Sequence, residues 1–93
     1  LNAAGSNTQI QFNDNPYFGA SANLTFDKSD SKLFLQGHLA LGNIGATPLT
    51  VANATVLYSN TVGAGGTGVY VKSSSVDNEL VSNYKAIVYG IIF

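Results

Sequence analysis

The sequence predicts an all-β protein of short antiparallel strands, arranged as a small sandwich or a β-prism-like fibre module and intertwined as a trimer. Apolar residues recur mostly at every second position, the period of a half-buried strand. Turn-forming residues interrupt them at intervals of about eight to twelve positions, as in all-β domains. Helical spacing occurs only over Asp77 to Ala86, where Leu80, Val81 and Tyr84 recur and Ser75 offers a cap with Glu79 nearby. At 93 residues the chain fits a single β-rich module, 1–93, divisible into sub-modules 1–45 and 46–93. Its opening on Leu1 reads as a fragment or C-terminal part of a longer chain.

The elements follow in order. Thr8 to Phe12 places Ile10 and Phe12 on one face and Gln9 and Gln11 on the other, and Asn13-Asp-Asn-Pro16 is expected to end that strand. Asn23 to Phe26 and Lys32 to Gln36 flank the polar run Asp27-Lys-Ser-Asp-Ser31, so residues 23–36 read as a hairpin. Leu33, Leu35, Leu39 and Leu41 keep one parity through Gly37, which suggests one long strand bent at the glycine. A loop over Gly42 to Pro48 leads into expected strands at Leu49 to Val51 and Thr55 to Tyr58. The run Gly63-Ala-Gly-Gly-Thr-Gly68 reads as a flexible connection into the strand Val69-Tyr-Val71. Residues 79–92 complete the pattern with one or two strands, because the adjacent β-branched Ile87 and Val88 favour an extended tail.

Composition narrows the function. Charged residues make up only 10% of the chain against 45% hydrophobic, and four lysines face five acidic groups with no arginine. Such a balance provides little counterion release, so nucleic acid is excluded as a partner. The absence of Cys and Met removes thiolate and disulfide chemistry. The C-terminal apolar run is shorter than the roughly 20 residues of a membrane helix, so no membrane insertion is expected.

The chemical motifs are weak. Gly63-x-Gly65-x-x-Gly68 has the letters of a dinucleotide loop, but that loop must open a helix and a strand follows here. His38 is the sole histidine, and a metal site would need three copies to meet on a threefold axis. Asp14, Asp27 and Asp30 lack calcium-loop spacing and suit turns. No opposed carboxylate pair or nucleophile elbow is marked. Asn23 and Asn53 head glycosylation-type triplets that an Asn- and Thr-rich chain acquires by chance. The expectation is a non-enzyme with no cofactor and no metal.

The tail Lys85-Ala-Ile-Val-Tyr-Gly-Ile-Ile-Phe93 is the strongest signal. Its large side chains Ile87, Val88, Tyr89, Ile91, Ile92 and Phe93 would each gain about 1.5 to 3 kcal/mol on leaving water, a sum comparable to the ~5 to 15 kcal/mol stability of a domain. An apolar strand left at a free edge would template aggregation. These six residues are therefore the candidate assembly interface.

The segment Gly5-Ser-Asn-Thr-Gln-Ile-Gln-Phe-Asn-Asp14, with Phe18-Gly-Ala and Leu24-Thr-Phe-Asp27, resembles a module of bacteriophage tail-fibre and other virion structural proteins. Gly66 to Val71, Glu79 to Ser82 and Lys85 to Phe93 are similar to the C-terminal endings of such proteins. The resemblance implies a β-rich homotrimer in the virion, an extracellular particle, where it would extend a fibre alongside other virion proteins or contact a host surface glycan. It carries over no catalytic residue. The chain departs from full-length fibres in having no long coiled coil and no self-cleaving chaperone domain. A capsid decoration or head-fibre protein and a glycan-binding receptor tip are the alternatives, followed by a polysaccharide hydrolase fragment.

Overall fold

The computed structural model describes residues 2–92, with side chains described through Ile87. The chain forms an antiparallel all-β architecture in small sheets, closed by one helix. Two compact units divide it, Leu1–Ala40 and Leu41–Phe93.

In the first unit, β1 (Phe12–Asp14) pairs with β2 (Tyr17–Gly19), matching Phe12 to Gly19 and Asp14 to Tyr17. The Asn15-Pro16 peptide is cis. The strand expected over Thr8 to Phe12 is thus displaced, since pairing begins at Phe12 and includes Asn13 and Asp14. Upstream, Gln9 bridges Thr25, the Phe26 amide donates to the Thr8 carbonyl at 2.7 Å and the Ile10 amide to Leu24 at 3.2 Å. Residues 8–10 accordingly add a short third rung to the second hairpin, so the sequence segment is extended but serves another sheet.

That second hairpin joins β3 (Leu24–Asp27) to β4 (Lys32–Leu35), with Leu24 opposite Leu35 and Asp27 opposite Lys32. Asp27 accepts hydrogen bonds from the Ser29 amide at 3.0 Å and the Ser29 hydroxyl at 2.7 Å, closing the turn. These bonds lower the Asp27 pKa. The long strand expected through Gly37 ends instead at Leu35. Gly37 has φ +154°, where an L side chain is disfavoured, and the chain leaves the sheet there. Leu39 and Leu41 keep the parity of a strand, but among the described residues they belong to none.

The second unit is a sheet in the order β5 (Val56–Ser59), β6 (Gly66–Lys72), β7 (Asp77–Val81). Val56 lies opposite Lys72, Tyr58 opposite Tyr70 and Tyr70 opposite Glu79, with an irregularity between Gly66 and Tyr70. Asn43 bridges Ser59 in parallel beside β5. The strand expected at Leu49 to Val51 is absent. A turn replaces it, in which the Ala54 amide donates to the Val51 carbonyl and Asn53 sits at φ +57°.

The C-terminal segment corrects the extended tail most plainly. Residues Asn83–Ile92 form α1. Ser82 caps it, as its hydroxyl oxygen accepts from the Lys85 amide at 3.1 Å and its carbonyl accepts from the Ala86 amide at 2.8 Å. Once a first turn is nucleated, each further residue adds a backbone bond, which outweighs the mild helix penalty of Ile and Val. The helical spacing read over Asp77 to Ala86 belongs partly to β7, so the cap is Ser82 and not Ser75.

Candidate functional site

The second sheet is organised around residues that its register brings to one face. Cross-strand partners share a face and successive residues alternate. Tyr58, Tyr70 and Glu79 therefore stand in one row across the sheet, and Val56, Lys72 and Asp77 in the next. Tyr58 is the single buried hydrophobic side chain among the described residues, at 6% exposure. Its ring stacks on Tyr70, and its hydroxyl donates to Asp77 Oδ1 at 2.5 Å. That bond, helped by desolvation, raises the Tyr58 pKa. Desolvation raises Tyr70 first, with the Glu79 charge second. The Tyr70 hydroxyl donates to the Thr61 carbonyl at 2.9 Å, tying the loop between β5 and β6 to the same face.

Glu79 explains the glycine-rich run. Its carboxylate accepts from the amides of Gly65 at 2.6 Å, Gly68 at 2.7 Å and Gly63 at 2.9 Å. Backbone amides converging on a carboxylate favour its charged form, and the Glu79 pKa is lowered, with the Gly63 bond as the largest cause. A Cβ at Gly65 would come within 2.8 Å of both Glu79 Oε1 and the Leu80 carbonyl oxygen. Gly66 and Gly68 hold φ of +88° and +71°. The loop is thus not a flexible connection: it is closed onto β7 by a side chain of its own sequence. Amides that in a nucleotide-binding loop would face phosphate here face Glu79. Sequence reading missed that role because a lone carboxylate sixteen positions from Gly63 leaves no spacing signal.

The expected assembly residues lie on α1 and beyond. Ile87 is 56% exposed. Val88, Tyr89, Ile91 and Ile92 belong to α1 by backbone, and Phe93 falls outside the described residues. His38 is exposed in the segment after β4. Among the described residues no group of three His, Cys, Asp or Glu side chains is placed to hold a metal. An open cavity of about 590 Å³ in the first unit is lined by Asn7, Thr8, Phe26, Asp27, Lys28 and Ser29. No described helix is long and apolar enough to cross a membrane.

Exposure of apolar side chains extends well beyond the tail. Leu49 before the Val51 turn is almost wholly solvated, Tyr17 and Phe18 on β2 are about three-quarters exposed, Leu33 and Leu57 are half exposed or more so, and Leu80 is just under half exposed. Compared with family models, curated proteins and solved structures, the chain matches none.

Proposed function

We propose that this chain is a non-enzymatic structural protein of a phage virion, a tail-fibre or related fibre module that assembles as a homotrimer and contacts the host surface. The observation that carries the reading is the near absence of a buried apolar core among the described residues, where Tyr58 is the single buried hydrophobic side chain and Tyr17, Phe18, Leu33 and Leu49 are each more than half exposed. Apolar surface of this kind is what assembly partners cover.

Closed threefold symmetry would give such surfaces a partner and limit further growth. The tail residues Ile87, Val88, Tyr89, Ile91, Ile92 and Phe93 contribute to that interface in this reading. The resemblance of residues 5–27 and 66–93 to virion fibre proteins supports the location. Exposed Tyr17 and Phe18 supply aromatic surface for a host glycan.

Sedimentation equilibrium tests the assembly: a trimer at micromolar concentration is expected, and a stable monomer would reject it. Deletion of residues 85–93 is expected to abolish the oligomer. Labelled antibodies on purified particles test the location. Signal on fibres is expected, whereas signal spread over the capsid would favour the decoration or head-fibre alternative.

A further inference from the structure

Glu79 holds the glycine loop through both carboxylate oxygens. Its Oε2 accepts from the Gly63 amide at 2.9 Å and the Gly68 amide at 2.7 Å, and its Oε1 accepts from the Gly65 amide at 2.6 Å. Each contact requires an acceptor. A proton on either oxygen sets an O–H against at least one N–H, so the arrangement is complete only for the carboxylate.

The same loop seats the start of α1. The Gly65 carbonyl accepts from the amide of the cap residue Ser82 at 2.8 Å. A Cβ at Gly66 would lie 3.1 Å from Ser82 Oγ and 3.2 Å from Lys85 Cγ, so the first turn of the helix rests against the loop backbone. Gly65 is thus held by its amide to Glu79 and by its carbonyl to the helix cap. From this connection we infer that Glu79 and the glycine loop form an acid-released clasp for α1: protonation of the carboxyl frees the loop, and the loop frees the helix, while the tyrosine stack keeps the sheet paired.

The surroundings make Glu79 the trigger. Tyr70 faces it from β6 with Tyr58 beyond on β5, Asp77 lies two residues away on β7 with Lys72 opposite, and Tyr84 and Lys85 stand on the first turn of α1. Residues 60–68 carry no ionisable side chain. Among the described residues no lysine lies within ion-pair distance of Glu79. The amides, Gly63 foremost, lower its pKa, so the clasp is shut at neutral pH and opens as pH falls through that lowered value. The helix so freed carries Ile87, one of the candidate assembly residues.

The test is amide hydrogen exchange by nuclear magnetic resonance, expressed as protection factors, on the full chain and on Glu79→Gln from neutral pH into acid. Glutamine places an N–H donor where the protonated carboxyl has its O–H, and does so at every pH. In the wild type, protection at Gly63, Gly65, Gly68, Ser82, Lys85 and Ala86 is expected to fall together by at least about tenfold, in step with the Glu79 carboxyl carbon shift and with the near-ultraviolet tyrosine signal retained. The variant is expected to show that loss already at neutral pH and no further loss in acid. Should the variant fail to fold, the wild-type titration decides alone. Loss at the glycines with Ala86 still protected overturns the coupling of loop to helix. Loss of the tyrosine signal together with the helix amides, or equal acid losses in both proteins, overturns the clasp.

Discussion

Tyr58 and Tyr70 stack across neighbouring strands with ring centroids 5.1 Å apart and planes inclined by 18°. The pair lies directly opposite in register, so the contact pins the alignment of β5 on β6 as well as filling the sheet's inner face. Asp77 fixes the first ring through its hydroxyl.

Replacing Tyr58 with leucine removes the stack and the Asp77 bond together, and is expected to lower the melting temperature by on the order of 10 °C in a unit of this size. Tyr58→Phe keeps the ring and should lose less than half as much. Thermal melts followed by near-ultraviolet circular dichroism distinguish the two. Equal losses in both variants would show that the ring contact contributes nothing.

The two phenols also set an alkaline limit. Both have pKa values raised in the fold above the ordinary value of 10.0. A group raised on folding contributes stability that is complete below its unfolded value and is lost as pH rises through the folded one. Stability is expected to fall above about pH 10, and Tyr58→Phe should soften that decline. Chemical denaturation across the alkaline range checks it.

Glu79 sets the opposite limit. Its pKa is lowered in the fold by the Gly63, Gly68 and Gly65 amides. Its contribution is complete above the unfolded glutamate value and is lost as pH falls through the lower folded one. The wild type should therefore weaken on acidification below about pH 4.5, and Glu79→Gln should be less stable at neutral pH yet flatter on the acid side. Parallel acid limbs in both proteins would refute the carboxylate's role.

Gly65→Ala forces a Cβ against Glu79 and the Leu80 carbonyl oxygen. Backbone on one side cannot yield as a flexible side chain would, so a cost of about 2 kcal/mol is expected. Gly42→Ala meets nothing within 4 Å and is the control. Urea unfolding of the two variants measures the difference.

Ser82→Ala deletes the hydroxyl that accepts from the Lys85 amide. Loss of such a cap costs about 1 kcal/mol, and α1 should fray without change to the β-sheet signal. Far-ultraviolet circular dichroism near 222 nm reads the helix separately from the tyrosine bands.

The legible parts of the sequence were those where local chemistry and pairing agree. The hairpin of β3 and β4 is announced by Asp27, Ser29 and Asp30 between alternating apolar runs, and its partners lie close along the chain. The antiparallel all-β class follows from the same alternation. Other features were decided by longer-range choices. Leu39 and Leu41 have strand parity, but Gly37 turns the backbone away and among the described residues they belong to no strand. Ile87 and Val88 have strand propensity, yet Ser82 starts a helix before them. Glu79 resembled any other acidic residue, because its meaning depends on where the Gly63 to Gly68 amides point.

The backbone pairing has a kinetic consequence. Among the described residues every strand pairs with a sequence neighbour, and the farthest-reaching backbone bond outside the helix and ladders, Phe26 to Thr8, joins positions eighteen apart. Short separations make ordering rapid. Each hairpin can therefore close on its own stretch of chain as soon as that stretch leaves the ribosome, without waiting for distant segments to be synthesised.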